Sequence, residues 1–315
     1  MKSAKQGRMI SVLRTAAGSP AAVGMIKALR RRNIRVIGTD CNPLSAGFHF
    51  CDSSYVTPWG DDPQFISRLL AICDIEKPHA IISGPEEEVL TLSKNKRHFN
   101  KRDVVVLTPD YEAVAICADK LATDAFFRQT HVPTPDIFPD AASVRFPAII
   151  KPRFGRGGTD VFKLENKRDL KFHLQRVDKP ILQQFIAGTE NTVDILSDLQ
   201  AEPLSVVPRT RIHVESGISM KGETMHDDEI IAWSRTIVKQ LKLTGPSCIQ
   251  CIRSTEGLRF IEINARFGGG SVLSMKADPS IILNLIKLIR GEQPTQSRGF
   301  KEGMVMLRYY SEVYS

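Results

Sequence analysis

Residues 247–266 have the sequence SCIQCIRSTEGLRFIEINAR, whose pattern is typical of two strands joined by a tight turn. The predicted strands are residues 247–253 and 258–264. A three-residue loop that ends at Gly257 fits between them, because a type I turn followed by a left-handed residue favours glycine at that position. The register set by this loop pairs Gln250 directly with Glu262.

Carboxylate and amide oxygens gather on one face of this hairpin. Asn264 lies two residues beyond Glu262, so it points to the same side as Glu262 and Gln250. No Lys or Arg stands between them on that face, and such hard oxygen donors suit Mg²⁺ that is held jointly with nucleotide phosphates. A solvated polar face is the alternative. The opposite face is predicted to be core, formed by Ile249, Cys251, Ile261 and Ile263.

Residues 149–159, IIKPRFGRGGT, combine a strand end, a lysine and a glycine-rich loop. The three glycines let the backbone approach a polyanion, and consecutive N–H groups can cradle phosphate. Lys151 at the strand end adds a point charge. The loop leads into a strand and G-x-x-x-x-G-K-[ST] is absent, so the segment is not a Walker P-loop. A flexible hairpin turn is the alternative.

The first third of the chain alternates strands and helices. Strands are predicted over residues 9–13, 35–39, 79–83 and 104–107. Pro20 suits a first helical position, and the glutamates that follow Gly84-Pro85 suit the start of a helix. This alternation predicts a parallel sheet with ligands at the carboxyl ends of its strands. A dinucleotide site is the alternative, since Asp40 ends the second strand, but G-x-G-x-x-G is absent.

The rest of the chain predicts a mixed order of elements. Helices are expected over residues 111–130, 167–175, 227–241 and 280–290. Strands are expected over residues 148–150, 160–164, 181–186, 192–197 and 304–309. A polar loop is predicted over residues 208–224. No internal repeat is present.

The composition is that of a globular protein with about two domains: 315 residues, 42% hydrophobic and 25% charged. The six cysteines have irregular spacings, which predicts reduced thiols. Cys248 and Cys251 form C-x-x-C, for which zinc is the alternative, but strand positions three apart point to opposite faces. No stretch approaches the roughly 18 apolar residues of a membrane span, and the apolar run at residues 9–13 is too short for a signal peptide. We therefore expect a soluble cytoplasmic protein without a membrane partner.

The formal charge of +8 raises the alternative of a nucleic-acid partner. Lys and Arg are scattered, however, apart from Arg30–Arg32 at a helix end, where cations suit the dipole. We therefore predict that the positive charge serves phosphates and an anionic substrate in a cleft, and that no nucleic acid is bound.

Four motifs follow one another in order: Asp119-Lys120, then Lys151 before the glycine-rich flap, then QQFIAGTE at residues 183–190 and EINAR at residues 262–266. Together they resemble the ATP-grasp superfamily, in its branch like the carbamoyl-phosphate synthetase large subunit. The resemblance covers most of the chain. It implies an α/β fold with an N-terminal Rossmann-like strand–helix domain followed by a two-lobed ATP-grasp module.

The implied domains are residues 1–110 for the Rossmann-like pre-ATP-grasp domain and residues 111–315 for the ATP-grasp module. The small lobe, residues 111–186, would carry the flap and the adenine hinge. The large lobe, residues 187–315, would carry the metal and substrate site.

The resemblance also implies a ligand for each motif. ATP phosphates would be bound by Lys120, Lys151, Gly155, Gly157, Gly158 and Thr159. The adenine hinge would be Gln183, Gln184, Phe185 and Ile186, with Glu190 on the ribose hydroxyls. Mg²⁺, for which Mn²⁺ could substitute, would be held by Gln250, Glu262 and Asn264. Related chains usually have Glu where this chain has Gln183 or Gln184, although an amide still accepts a hydrogen bond from the adenine amino group.

Catalytic roles follow from the same resemblance. Arg266 would stabilise the transferring phosphoryl group, a task for which a bidentate guanidinium is suited. The loop at residues 208–224 would close on phosphate and substrate, with Arg209 and Lys221 as its catalytic cations, and a solvated basic loop is the alternative. Gly268–Ser271 could offer backbone N–H groups to a carboxylate.

The implied activity is that of an ATP- and Mg²⁺-dependent ligase that releases ADP and phosphate. A small carboxylic acid would be activated as an acyl phosphate and captured by an amine or ammonia, for which Glu87 is a candidate contact. One alternative is a carboxylate or carbamate kinase that acts with a partner chain. The other is a nucleotide-binding sensor without turnover, against which Arg266 argues. A homodimer is a further expectation.

Overall fold

The computed structural model describes residues 9–314, which form a mixed α/β structure with one parallel and two antiparallel sheets. The predicted fold class is therefore confirmed. Residues 1–8 and 315, which the two predicted domain ranges include, lie outside the described part. Among the described helices, none has both the length and the apolar character needed to cross a bilayer.

The N-terminal sheet is parallel, with the strand order β3-β2-β1-β4-β5. Its strands are β1 (Ser11–Arg14), β2 (Arg35–Asp40), β3 (Ser53–Val56), β4 (Ala80–Ile82) and β5 (Val105–Val106). Its helices are α1 (Pro20–Arg30), α2 (Phe65–Glu76) and α3 (Glu86–Asn100). Apolar clusters cover both faces, so β1 is buried along its whole length. The strand order reverses between β1 and β4, where open α/β sheets bind ligands.

The predicted helix starts of this sheet are confirmed. Pro20 is the first residue of α1, with the Ser19 hydroxyl accepting a hydrogen bond from the Ala22 N–H at 3.3 Å. The first turn after β1 is closed by the protein itself, because the Gly18 N–H donates to Asp40 Oδ2 at 2.8 Å. The Ser45 hydroxyl donates to the same oxygen. The carboxylate of Asp40 thus occupies the N–H group that a dinucleotide phosphate would need.

A small antiparallel sheet follows, in the order β6-β9-β7-β8. Its strands are β6 (Ile137–Phe138), β7 (Ala148–Pro152), β8 (Phe162–Leu164) and β9 (Pro180–Gln184). Helix α6 (Lys167–Leu174) packs on it, and Ile150, Leu164 and Leu170 are buried between them. The sheet therefore holds the two ends of the glycine-rich flap, which connects β7 to β8.

The single helix predicted over residues 111–130 is wrong, because Asp119 divides it into α4 (Tyr111–Ala118) and α5 (Lys120–Gln129). Asp119 is extended, and its carboxylate accepts from the N–H groups of Leu121 at 3.0 Å and Ala122 at 3.4 Å. Aspartate competes well for this N-cap position, so the helix restarts there. The restart makes Lys120 the first residue of α5.

The large sheet is antiparallel, in the order β14-β13-β10-β11-β12-β15. Its strands are β10 (Thr189–Ser197), β11 (Pro203–Glu215), β12 (Ile218–Thr224), β13 (Gly245–Ser254), β14 (Gly257–Asn264) and β15 (Val305–Leu307). Helix α7 (Asp228–Leu241) covers one face with a core that includes Ile237 and Ile249. Helices α8 (Ser271–Ala277) and α9 (Ser280–Arg290) cover part of the other face.

The polar loop predicted over residues 208–224 is wrong, because most of this segment forms the hairpin β11–β12. The turn is Ser216-Gly217, with φ of 47° and 74°. Polar and apolar residues alternate along the end of β11, and residues 212–215 are all exposed. Such a strand is easily mistaken for a loop, since its backbone partner β10 is supplied only by the tertiary fold.

In the hairpin β13–β14, the predicted pairing of Gln250 with Glu262 is confirmed, but the predicted loop is not. Ser254 pairs with Gly257, which leaves a two-residue loop, and a bulge between Gln250 and Cys251 shifts the register by one residue. The bulge sends Phe260 into the core, fully buried, and leaves Ile261 only half-buried. The prediction that Ile261 belongs to the core is therefore wrong.

Candidate active site

One face of the large sheet carries the polar side chains that were predicted to lie together on the hairpin β13–β14. Glu262 and Asn264 lie on β14, and Gln250 lies across from Glu262 on β13. Thr192 of β10 pairs with Gln250, so it extends the same face. Helix α7 packs on the opposite face. The polar face is therefore one wall of a cleft, beside the small sheet and the carboxyl ends of the N-terminal strands.

Lys151 projects into this cleft from the end of β7. It is 9% exposed, and its ammonium donates to Gln183 Oε1 at 2.8 Å. Burial lowers the pKa of Lys151 to about 8, while the charge of Glu262 raises this pKa and that of Lys120 lowers it. The two lysines and Glu262 are therefore electrostatic neighbours. Gln183 is itself buried, so its side chain fixes the position of Lys151.

Lys120 lies at the base of the flap. Its ammonium donates to the Gly155 carbonyl at 2.8 Å, and its backbone N–H donates to the Arg153 carbonyl at 3.2 Å. Arg153 in turn donates to both carboxylate oxygens of Asp119. The Asp119-Lys120 pair therefore anchors the flap from the start of α5.

The flap itself, residues 155–159, is exposed. Gly155, Gly157 and Gly158 all have positive φ, of 129°, 70° and 72°. Only glycine adopts such values without strain, so the sequence Gly-x-Gly-Gly dictates this shape. Thr159 ends the flap and is also exposed.

Two other parts of the chain touch the flap. Gly217, at the tip of hairpin β11–β12, packs so closely that an added Cβ would clash with the Gly157 backbone. On the other side, Arg156 Nη1 donates to Glu87 Oε2 at 2.7 Å. Glu87, which the sequence suggested as an amine contact, is therefore engaged by the flap.

The predicted adenine hinge lies where β9 ends. The Gln184 N–H donates to the Asp136 carbonyl at 2.8 Å, so this main-chain group is already bonded within the small sheet. Phe185 lies under the Lys163 ammonium at 4.4 Å from the ring centroid. Ile186 is 9% exposed.

A chain of contacts runs from the predicted ribose residue to the predicted metal residues. Arg211 of β11 donates to Glu190 and, at 3.0 Å, to the Gly217 carbonyl. With its amide oriented to satisfy both ends, Gln250 accepts from Arg211 at 2.8 Å and donates to Glu262. Arg211 thus links Glu190 to the Gln250–Glu262 pair.

Arg266 lies just beyond β14. Its Nη2 donates to Asn264 Oδ1 at 3.1 Å and its Nη1 to the Phe267 carbonyl at 3.2 Å. Its Nε is buried and has no partner among the described residues. Arg266, Asn264 and Glu86 line a common cavity of about 10 Å³.

Glu86 is a cleft residue that the sequence analysis missed. Burial, followed by the charge of Glu262, raises its pKa to about 7. Glu86 is the first of three consecutive glutamates, and successive side chains of a helix point about 100° apart around its axis. The direction of each side chain was therefore readable only after the position of α3 was known.

Arg209 and Lys221 occupy different surroundings from the predicted ones. Arg209 is 2% exposed, and its Nε donates to the buried Asp194 at 2.7 Å. Gly268 and Gly270 lie against its guanidinium, and Cβ on Gly270 would be 2.6 Å from Arg209 Cζ. Arg209 therefore packs against the glycine loop at residues 268–270. Lys221 is exposed on β12, opposite Leu307 of β15.

Other predicted groups are engaged elsewhere. The Ser271 N–H donates to the Gly268 carbonyl at 3.1 Å, so one N–H of the suggested carboxylate site is used. Cys248 and Cys251 are both buried free thiols. Across residues 9–314, no three or more His, Cys, Asp or Glu side chains are grouped to hold a metal ion.

Two family models match parts of this α/β fold. Residues 117–270 match the family model described as an ATP-grasp domain. Residues 15–107 match the model described as a PylC-like N-terminal domain. The chain therefore resembles ATP-grasp proteins of the carbamoyl-phosphate synthase branch.

Individual relatives agree with this assignment. The carbamoyl-phosphate synthase of Methanobrevibacter smithii is 25% identical over 176 residues, which are 53% of this chain and 47% of that protein. The chain thus spans about half the length of this curated relative.

Solved structures share the fold at low identity. The biotin carboxylase domain of Hydrogenobacter thermophilus 2-oxoglutarate carboxylase, a dimer in complex with MgADP, ADP and bicarbonate, has a TM-score of 0.75 at 15% identity, covering 95% of this chain and 74% of that one. N5-carboxyaminoimidazole synthetase from Staphylococcus aureus, complexed with ADP, has a TM-score of 0.74 at 14% identity, covering 92% of this chain and 79% of that one.

Proposed function

We propose that the protein is an ATP- and Mg²⁺-dependent ligase that activates a small carboxylic acid as an acyl phosphate and joins it to an amine or ammonia. The observation that carries this proposal is the convergence of Lys151, Glu262, Asn264 and Arg266 on one cleft. A positive charge for phosphates, oxygen donors for a metal and an arginine for phosphoryl transfer are the parts that this chemistry needs.

The nucleotide would lie between the small sheet and the polar face of the large sheet. Lys120, Lys151 and the flap glycines are the candidates for its phosphates. The hinge after β9 would take the adenine, with the Gln184 N–H excluded because it is already bonded. Glu190 would exchange its contact with Arg211 for the ribose hydroxyls.

The donor set fits magnesium. Glu262 would supply a carboxylate, and Asn264 and Gln250 would supply amide oxygens in exchange for their hydrogen bonds with Arg266 and Arg211, all hard ligands on one face. Mn²⁺, which accepts similar ligands, is proposed as a substitute. A bound Mg²⁺ would neutralise charge on the transferred phosphoryl group. Arg266 would then add two N–H donors to the same developing charge.

The proposed reaction has two steps. A carboxylate oxygen of the acid attacks the γ-phosphorus, the bond to the β-bridging oxygen breaks, and ADP leaves. The amine nitrogen then attacks the carbonyl carbon of the acyl phosphate, which releases phosphate and a proton. Glu86, beside Arg266 in the cleft, is placed to accept a hydrogen bond from the amine. Closure of the flap would exclude water from the intermediate.

We further propose the division at residue 110 and the two lobes that meet at residue 186, as well as a homodimer. The three sheets support this division, since each lies within one of the three segments. The dimeric state of the Hydrogenobacter domain supports the homodimer.

A hydroxamate screen tests the activity. With ATP and Mg²⁺, hydroxylamine should replace the amine, so the correct acid should give a hydroxamate, ADP and phosphate. Arg266→Ala should lower turnover by about 10³-fold, as other arginines in phosphoryl transfer do, with a smaller effect on ATP affinity. Arg290→Ala, at the exposed end of α9, is the control. AMP as the product, or normal turnover by Arg266→Ala, would contradict the mechanism.

A further inference from the structure

Arg211 is a nearly buried cation that joins several groups on the cleft face of the large sheet. It lies on β11, and its guanidinium crosses β10 to reach Gln250 on β13. Its side chain is 9% exposed, whereas that of Glu190, its ion-pair partner, is 39% exposed. Its Nη1 donates to Glu190 and, at 2.8 Å, to Gln250, while its Nη2 donates to the Gly217 carbonyl at 3.0 Å. One guanidinium therefore holds three acceptors.

The contact with Glu190 occupies the carboxylate that is proposed for the ribose hydroxyls. A hydrogen bond between a guanidinium and a carboxylate is stronger than one between a neutral hydroxyl and the same carboxylate. Within residues 9–314, Arg211 is the only cation at ion-pair distance from Glu190. The ribose hydroxyls can therefore form their full set of contacts with this carboxylate only after Arg211 has left it, and the free energy of that release lowers the nucleotide affinity.

The contact with Gln250 has the same consequence for a metal ion. Gln250 accepts from Arg211 through its amide oxygen and directs its amide nitrogen to Glu262. An amide nitrogen only donates hydrogen bonds, so in this orientation Gln250 offers no oxygen to a cation and engages one oxygen of Glu262. Release of Arg211 would allow the amide to rotate, which would free oxygens of both residues for Mg²⁺.

We propose that Arg211 competes with the ribose and with Mg²⁺ for these residues, and that this shared displacement makes the two ligands bind cooperatively. The first ligand supplies the free energy that releases Arg211, so the second ligand binds more tightly. The Gly217 carbonyl is a further acceptor, so the released guanidinium keeps a partner at the tip of hairpin β11–β12. The inference rests on the proposed nucleotide and metal sites and adds a residue that regulates both.

The test isolates the ribose hydroxyls by comparing ADP with 2′,3′-dideoxy-ADP, which carries the same charge. Titration calorimetry gives the ratio of the Kd of the dideoxy nucleotide to that of ADP, and this ratio measures the contribution of the hydroxyls. In the wild type, the ratio should be small without Mg²⁺ and larger with it by about 5-fold or more, as is typical of coupling between two ligands. In Arg211→Met, the ratio should be large already without Mg²⁺, and Mg²⁺ should not change it. The effect of the lost charge on phosphate binding cancels in each ratio.

Two further variants act as controls. Arg211→Lys keeps the charge, but an ammonium lacks the planar fork that engages both side-chain acceptors together, so the effect of Mg²⁺ on its ratio should be smaller than in the wild type. Arg253→Met removes an arginine of β13 that pairs with Asp227 and Glu229 at the start of α7, and its ratios should equal those of the wild type. Thermal unfolding confirms that each variant is folded before titration.

The outcomes separate the competition from the site on which it acts. A wild-type ratio that Mg²⁺ does not change, or a Mg²⁺ effect of wild-type size in either Arg211 variant, would overturn the proposal. A smaller metal-free ratio in Arg211→Met than in the wild type would show that Arg211 orients Glu190 for the ribose, which also contradicts it. If Arg211→Met does not fold, Arg211→Lys alone decides. Absence of ADP binding by the wild type would refute the nucleotide site itself, and the role of Arg211 with it.

Discussion

Lys151 combines two features at the level of a single residue: it is almost fully buried, and its direct partner is the neutral amide of Gln183. Burial lowers its pKa to about 8, which shows that the charged form is held against a desolvation penalty. A phosphate oxyanion would relieve that penalty. The buried charge of Lys151 therefore favours the binding of an anionic ligand and does not stabilise the unliganded protein.

Lys151→Ala should accordingly weaken ATP binding by about 10- to 100-fold, which is the effect expected for the loss of one charge-assisted hydrogen bond. The melting temperature should change little, because the loss of packing is offset by removal of an unfavourable buried charge. Nucleotide titration and thermal unfolding measure the two effects. Lys239→Ala, on the face of α7 away from the cleft, is the control. Unchanged ATP affinity in a folded Lys151→Ala protein would contradict the assignment.

The candidate residues with a motif around them were predictable from the sequence. Glu262 and Asn264 follow from strand alternation, and Lys151 follows from its place before the glycines. Glu86 was not predictable as a cleft residue, since its run of three glutamates indicates only the start of a helix. Its position in the cleft comes from long-range packing, which brings the start of α3 to Arg266.

At the level of secondary-structure elements, the contact between the flap and the tip of hairpin β11–β12 is the feature that closes the cleft. Gly217 meets Gly157 backbone to backbone, and Arg211 ties the hairpin to Glu190. From the sequence, residues 208–224 were expected to close over phosphate and substrate, but as an irregular loop. A hairpin can hold Gly217 in a fixed position, which a loop cannot do as well.

Gly217→Ala should raise the KM for ATP several-fold, because the new Cβ would push the flap away from the hairpin. The residue also has φ of 74°, so alanine adds strain of about 1 kcal/mol. Gly257→Ala is the matched control, since Gly257 has φ of 106° in the turn of β13–β14 and its Cβ would meet only Arg259 Nη1, at 3.6 Å. Both variants should lose similar stability, measured by denaturant unfolding. An equal KM for ATP in the two variants would show that the flap contact has no role.

The elements of the N-terminal sheet were the most predictable part of the fold, because each helix has a local start signal such as Pro20. The hairpin β13–β14 shows the limit of such reasoning. A two-residue turn and a bulge together give the same Gln250–Glu262 pair as the predicted three-residue turn. Only the exchange of Ile261 for Phe260 in the core distinguishes the two, and that choice depends on the packing of α5 and α7.

For the whole molecule, the cleft concentrates buried charge between three sheets, and this lowers the stability of the unliganded protein. Glu88 is the clearest case, with 7% exposure and a pKa raised to about 7 by burial. The Thr15 hydroxyl, the Gly84 N–H and Arg14 favour its ionised form, and Glu87 opposes it. Burial outweighs these favourable contacts, so Glu88 is easier to accommodate protonated than ionised.

The free energy of unfolding should therefore depend on pH through Glu88. Its pKa in the folded state, about 7, lies above the ordinary value of 4.5, so the unfolded chain releases the proton first as the pH rises. Stability should fall between pH 4.5 and 7, by about 3 kcal/mol from this residue, and the loss should be complete above pH 7. Glu88→Gln cannot ionise, so its stability relative to the wild type should increase over the same interval. Urea unfolding of both proteins at pH 4, 6 and 8 measures the difference, and the pair at pH 4 serves as the control, since Glu88 is protonated in both states there. A constant difference between the two proteins at all three pH values would contradict the raised pKa and the unfavourable burial from which it follows.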